Sequence, residues 1–66
     1  METQMIEYRE LKVGDKFRFA ELGPVCITIY TPHSNDNYCV LSGPLAGELF
    51  QARWETLVYK LLPDAA

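Results

Sequence analysis

The chain has 66 residues, of which 48% are hydrophobic, and its formal net charge is −3. This composition excludes an intrinsically disordered chain. The charge balance, with six Lys and Arg and nine Asp and Glu, argues against a protein that mainly coats nucleic acid. A domain of this size buries only about 60% of its unfolded surface, so we expect additional support from self-association.

The N-terminal segment does not have the pattern of a sorting signal. Residues 1–7 include acidic and polar side chains, whereas a signal peptide has basic residues followed by an apolar run. No later segment has the length and apolarity of a membrane span. We therefore expect a cytoplasmic protein with no membrane contact. It should form one small domain over residues 1–66, with 1–7 and 63–66 as flexible ends.

The first predicted strand follows a turn at residues 14–15. Phe17 and Phe19 alternate with Lys16 and Arg18, which is the pattern of a half-buried strand. The glycine of the turn permits a backbone conformation that other residues avoid, and the aspartate can bond nearby amides. We interpret this aspartate as a turn residue and not as a catalytic one.

The strongest strand pattern lies at residues 25–31, which are β-branched, aromatic, or small and apolar. A polar loop at 32–37 separates this strand from a third at 38–42, which should return beside it as an antiparallel partner. Placing Tyr30 opposite Tyr38 brings four apolar side chains together and predicts the core residues of this hairpin: Ile27, Ile29, Cys39 and Leu41.

The cysteines are predicted to be free thiols. In this register, or after a slip by one residue, Cys39 lies roughly 10 to 13 Å from the position opposite Cys26, beyond the ~7 Å that a disulfide tolerates. Because Cys39 falls on the predicted core face, Cys26 should be labelled faster. Two cysteines and His33 are too few ligands for a structural zinc ion, and the chain carries no cofactor motif.

Residues 48–62 fit two structures. Two short strands at 48–52 and 57–61 could be joined by a turn at 53–56. A helix ending before Pro63 is the alternative, and it would give a three-stranded antiparallel sheet plus a C-terminal helix. Helix propensity favours this alternative, because large apolar side chains recur at helical spacing: Phe50, Trp54, Leu57 and Leu61.

A resemblance favours the strands. Residues 11–19 read Leu-x-Val-Gly-Asp-x-Phe-x-Phe, and they are followed by an alternating strand, by Gly-Glu-Leu-Phe at 47–50 and by Val-Tyr-Lys-Leu at 58–61. This order resembles the small SH3-like β-barrel proteins of phages and bacterial mobile elements over residues 8–62. The resemblance implies an all-β fold with five short strands, in a group of proteins that mostly have no assigned activity.

Catalysis is not expected. His33, Ser34 and Asp36 are residue types that form nucleophile and base pairs, but they fall in a polar loop without the packed surroundings that a catalytic triad needs. We therefore predict no catalytic, cofactor-binding or metal-binding residues.

One predicted partner surface combines cations with aromatic rings. If Phe17 and Phe19 point into the core, the opposite face carries four residues suited to a protein interface or to stacking on single-stranded nucleic acid: Lys16, Arg18, Tyr30 and Tyr38. With two cations in an acidic chain, we favour a protein partner.

The closing strand predicts a second contact surface. It is apolar on both faces, so we expect Leu57, Tyr59 and Leu61 to fill the core and the remaining apolar residues to contact a second copy: Trp54, Val58 and Leu62. The sequence as a whole predicts a non-enzymatic interaction module. The resemblance to the small SH3-like barrel proteins implies that it is encoded by a phage or mobile element, and it would then act in the host cytoplasm. It should form a homodimer and bind a host protein, with single-stranded nucleic-acid binding as the alternative function.

Overall fold

The regular structure in the computed structural model, which describes residues 3–62, is a six-stranded antiparallel sheet and one short 3₁₀ helix. The helix spans Tyr8–Glu10. The strands, in chain order, are β1 Thr3–Glu7, β2 Lys16–Arg18, β3 Cys26–Thr28, β4 Tyr38–Val40, β5 Leu49–Phe50 and β6 Leu57–Leu61.

The strand order across the sheet is β1-β6-β2-β3-β4-β5. The all-β prediction is confirmed, and the alternative with a C-terminal helix is wrong because β5 and β6 occupy that segment. Six strands are present where five were expected. Within residues 3–62, β1 and β5 are the two edges of an open sheet, so the closed five-stranded barrel is not what the strand pairing gives.

Strand β6 lies between β1 and β2 and pairs with both. One face of β6 carries the buried Val58, whereas the other carries Leu57, which is 58% exposed. Residues 3–7, expected to be a flexible end, instead form β1, which pairs with β6 over five positions. The expected flexible end at 63–66 lies outside the described residues.

The core is centred on Phe17 and Val58, each 0% exposed. The Phe17 ring meets three other aromatic rings edge to face, with centroid distances of 5.3 Å to Tyr8, 5.2 Å to Phe19 and 5.7 Å to Tyr38. Edge-to-face pairs of this kind contribute about 0.5 to 1.5 kcal/mol each beyond their buried area. The prediction that Phe17 belongs to the core is confirmed, whereas Val58, predicted to meet a partner, is a core residue.

The β3–β4 register differs from the predicted one by two residues. Ile27 pairs with Cys39 and Thr28 with Tyr38, so Tyr30 does not face Tyr38. The core face of this hairpin is also the opposite of the predicted one. It carries Cys26 and Val40, which are buried, together with Thr28, which is buried although polar, and the half-buried Tyr38.

The Thr28 side chain can be buried although it is polar, because the turn before β2 provides hydrogen-bond partners for its hydroxyl. Its hydroxyl donates to the Lys12 carbonyl oxygen and accepts from the Asp15 N–H at 3.0 Å. The Asp15 carboxylate accepts from the Lys12 N–H at 2.8 Å and lies 3.6 Å from the Lys60 ammonium. Gly14, with φ of +96°, makes the turn possible. The prediction of a turn with Asp15 bonding nearby amides is confirmed.

The segment between β5 and β6 lies against the 3₁₀ helix. The Tyr8 N–H donates to the Thr56 carbonyl oxygen at 2.8 Å, and the Arg9 N–H donates to the Trp54 carbonyl oxygen at 3.0 Å. The Trp54 ring is 6.1 Å from the Tyr8 ring. These contacts join the chain after the β5 edge to the chain after the β1 edge, so the sheet curves around its core.

Candidate protein-interaction surface

The sheet presents a solvent side opposite Phe17 and Val58, which we call the outer face. Side chains alternate between the two sides of a strand and align with their partners across strands, so the register defines which residues share this face. Two rows of paired residues follow from it. One row is Met5, Tyr59 and Arg18, and the other is Lys16, Ile27, Cys39 and Leu49.

Apolar side chains make up most of the outer face. Leu57 is 58% exposed and Met5 is 55% exposed, and both lie on neighbouring strands at one end of the sheet. Leu49 is exposed at the other end, with the half-buried Ile27 and Cys39 between. These apolar residues, which we call the apolar band, lie on both sides of β2, whose own outer-face residues are Lys16 and Arg18. Exposed apolar side chains grouped on one face are typical of a surface that contacts another protein.

Arg18 gives the band a positive charge near its centre. Its guanidinium Nη1 donates to the Glu21 carbonyl oxygen at 2.9 Å, which fixes the side chain. Its Nε is buried and has no hydrogen-bond acceptor within residues 3–62. Arginine is enriched among the residues that dominate protein interfaces.

The predicted surface of cations and aromatics is not assembled as one face. Lys16 and Arg18 lie on the outer face, whereas Tyr38 lies on the core side, with its ring 5.1 Å from Phe19 and 5.8 Å from Phe50. Tyr30 is exposed and lies beyond the end of β3. The reason is the inverted hairpin: the face assignment that grouped these residues was wrong for β3 and β4.

The second predicted surface is also divided. Val58 is fully buried and is therefore not available to a partner. Trp54 is exposed but lies over Tyr8, and Leu62 is half-buried after the end of β6. Leu57, predicted to fill the core, is exposed on the outer face, because the faces of β6 are the reverse of those expected.

The sequence interpretation missed Met5 and Leu49 as surface residues. Met5 fell in a segment taken to be flexible, and Leu49 was read without an assigned face. The sequence pattern assigned no pairing partner to β6, which in the structure pairs with both β1 and β2.

The loop that contains His33 shows no catalytic arrangement among the described residues. The Ser34 hydroxyl accepts from the Asp36 N–H at 3.0 Å, and the Asp36 carbonyl accepts from the Thr31 hydroxyl at 2.5 Å, so these bonds shape the loop. His33 is exposed. Within residues 3–62, no group of three or more His, Cys, Asp or Glu side chains is placed to hold a metal ion.

Both cysteines are free thiols, as predicted, because they lie on opposite faces of the sheet. Their exposure is the reverse of the prediction. Cys26 is buried, and this burial raises the pKa of its thiol, whereas Cys39 is half-buried on the outer face. Cys39 is therefore the thiol that lies on the outer face, beside Ile27 and Leu49.

No known protein family matches this chain, and no curated protein or solved structure is detectably similar to it. Within residues 3–62 there is no helix with the length and apolarity needed to cross a membrane. The candidate surface therefore rests on the geometry of the sheet.

Proposed function

We propose that the protein is a non-enzymatic interaction module that binds protein through the outer face of its sheet. The observation that supports this proposal is the exposed apolar band from Met5 and Leu57 to Leu49, with Arg18 within it. Full burial of a leucine or methionine side chain contributes about 1.5 to 3 kcal/mol, so a partner that covers this band gains a large part of a typical binding energy.

The partners we propose are a second copy of the chain and a host protein. The small size of the domain supports self-association, because a short chain covers its core incompletely. The proposed origin in a phage or mobile element, and the proposed location in a host cytoplasm, rest on the resemblance of residues 11–19 to the small SH3-like barrel proteins.

The finer fold proposal is a variant of the SH3-like barrel. It is supported by the shortness of the strands and by the bonds from the 3₁₀ helix to residues 54 and 56, which draw the two ends of the sheet together. In this interpretation the segment 51–56 takes the place of direct pairing between the first and last strands of the barrel.

The function can be tested with matched baits. We would compare the unmodified chain with Leu57→Ser, which removes an exposed apolar side chain from the outer face, and with Leu22→Ser. Leu22 is 96% exposed in the loop between β2 and β3 and belongs to neither row of the outer face, so it is a control for nonspecific apolar contact. Quantitative mass spectrometry of proteins captured from a lysate of the encoding organism gives the readout. We expect at least one protein to be lost with Leu57→Ser and retained with Leu22→Ser. Equal capture by all three baits would contradict the proposal.

Single-stranded nucleic-acid binding remains the alternative prediction. It was suggested by a surface that combined Lys16 and Arg18 with Tyr38. These residues lie on opposite sides of the sheet, so that surface is not formed. A gel shift with short oligonucleotides at low salt tests it, because phosphate contacts are strongest there.

A further inference from the structure

We infer that two copies of this chain pair antiparallel through the free edge of β1, with Met5 opposite Met5 of the second copy. This inference rests on the proposed function, because it names a second copy as the partner and joins two outer faces into one. Within residues 3–62, β1 has only β6 as a neighbour, so its other edge is open.

The direction of the free backbone groups follows from one hydrogen bond and the register. The Tyr8 N–H bonds Thr56, next to the pairs Glu7 with Leu57 and Ile6 with Val58. In an antiparallel pair, residues alternately turn their N–H and C=O groups toward the partner strand and away from it. Residues 4, 6 and 8 therefore face β6. Residues 3, 5 and 7 direct their backbone groups to the open edge.

The Glu7 amide supports this assignment independently. Its N–H is not bonded to β6 but donates to the Glu10 carboxylate at 2.9 Å. Of the three N–H donors at the open edge, those of residues 3, 5 and 7, the Glu10 carboxylate therefore occupies one. The N–H and C=O groups of Thr3 and Met5 and the Glu7 C=O remain available to another strand.

The sequence of β1 is compatible with itself in this register. Pairing Met5 with Met5 places Thr3 opposite Glu7 of the second copy, so the single charge of the strand never meets a like charge. Each copy then contributes a Met5 N–H and a Thr3 N–H to carbonyls of the other, which gives four backbone bonds between the copies. This contact is isologous and closes as a two-fold dimer.

The edge also lacks the features that usually prevent such pairing. Protected edge strands are very short or carry proline, bulges or several charges. β1 has five residues without proline and with one charge, Glu7, which is already paired with Arg9 at 2.8 Å. The opposite edge, β5, has only two residues, so pairing of β1 with β5 of another copy offers few bonds.

The pairing extends the apolar band across the two-fold axis. Met5 lies beside Tyr59 on the outer face, so the two methionines would meet between two tyrosines. Met5, exposed in a single chain, becomes a central contact of the dimer. The resulting surface is twice as wide, with an Arg18 on each side.

Light scattering behind size exclusion, at a series of concentrations, tests the inference. We expect twice the chain mass for the unmodified protein and the single-chain mass for Met5→Pro. Because the Met5 N–H points away from β6, proline there removes bonds between copies and leaves the β1–β6 ladder intact. A single-chain mass for the unmodified protein at every concentration, or a dimer that persists in Met5→Pro, would overturn the inference.

Two charge substitutions at Thr3 test the same pairing without introducing a proline. Thr3→Lys places a cation opposite Glu7 of the second copy and should lower the dimer Kd several-fold. Thr3→Glu places like charges there and should raise it by a similar factor. Equal Kd values for the two variants would contradict the register.

Cross-linking supplies a third readout. Residues directly opposite in a bonded antiparallel pair have Cα atoms about 5.5 Å apart, within disulfide range. In a Cys39→Ala background, Met5→Cys should form a disulfide-linked dimer on mild oxidation, whereas Leu49→Cys, at the other end of the outer face, should not. Equal cross-linking of both variants would overturn the edge pairing. The capture experiment with Leu57→Ser does not depend on dimer mass, so failure of the pairing is distinguishable from failure of the proposed function.

Discussion

The side chain of Asn37 pairs with the backbone of Ala52 in both directions. Asn37 Nδ2 donates to the Ala52 carbonyl oxygen at 2.9 Å, and Asn37 Oδ1 accepts from the Ala52 N–H at 2.7 Å. The amide thereby replaces a strand residue and continues the β4–β5 pairing beyond Phe50. The Asn37 carbonyl in turn accepts from the Tyr8 hydroxyl at 2.6 Å. One loop residue connects the β5 edge to the 3₁₀ helix.

Asn37→Ala should lower the free energy of unfolding by about 2 to 4 kcal/mol, because it leaves both polar groups of the buried Ala52 backbone without partners. Asn35→Ala is the matched control, since Asn35 is exposed in the same loop and should change stability by less than about 0.5 kcal/mol. Urea denaturation gives both values. Equal losses in the two variants would show that the loop, and not the amide pairing, determines the effect.

The Tyr8 hydroxyl should make stability fall in alkaline solution. Burial raises the pKa of Tyr8 from 10.0 to about 12. Above pH 10 the unfolded chain releases this proton while the folded chain keeps it, so the stabilisation is complete below pH 10 and is lost as pH rises toward about 12. A shift of this size corresponds to about 2 to 3 kcal/mol.

Tyr8→Phe should therefore flatten the decline in unfolding free energy across this range. The decline should not vanish, because burial also raises the pKa of Tyr38. At neutral pH the variant should lose about 1 kcal/mol, the contribution of its bond to Asn37. Urea denaturation of both proteins at several alkaline pH values is the measurement. An identical pH profile for the two proteins would contradict the assignment.

The hairpin of β3 and β4 shows what the sequence could and could not predict. The β-branched and aromatic residues of 25–31 correctly indicate a strand, although the strand formed is shorter, Cys26–Thr28. Hydrophobicity then assigns Ile27 and Ile29 to the core, but the core takes Cys26 and Thr28. Thr28 is polar, and its hydroxyl can be buried only because the turn before β2 hydrogen-bonds it. That turn is distant from Thr28 in sequence, so local pattern does not reveal the contact.

Strand β1 was unpredictable for a related reason. Residues 3–7 have little strand propensity of their own, and pairing with β6, more than fifty residues later, stabilises them. By contrast, the turn at Gly14 and Asp15 and the core position of Phe17 depend on local pattern, and both were predicted correctly. In the C-terminal segment, resemblance predicted strands where local propensity predicted a helix.

The thiols give a direct test of the inverted hairpin. Cys39 should react with a maleimide or disulfide reagent before Cys26, because Cys39 is half-buried on the outer face whereas Cys26 is buried with a raised thiol pKa. Peptide mapping after brief labelling of the folded protein identifies the modified residue, and labelling in urea should remove the difference. Faster labelling of Cys26 would restore the predicted face assignment, with Cys39 on the core side.

Thr28→Val tests whether the buried hydroxyl holds the turn. Valine has nearly the same shape but leaves the Lys12 carbonyl and the Asp15 N–H with one partner fewer, so we expect a loss of about 1 to 3 kcal/mol in urea denaturation. Thr28→Ser keeps the hydroxyl and loses a methyl group, so it should remain closer to the unmodified protein. If hydrophobic burial alone governed this position, the order would reverse and valine would stabilise the fold. The Thr28→Val cost should also fall when Asp15→Ala has already loosened the turn, because the two side chains act on the same four residues.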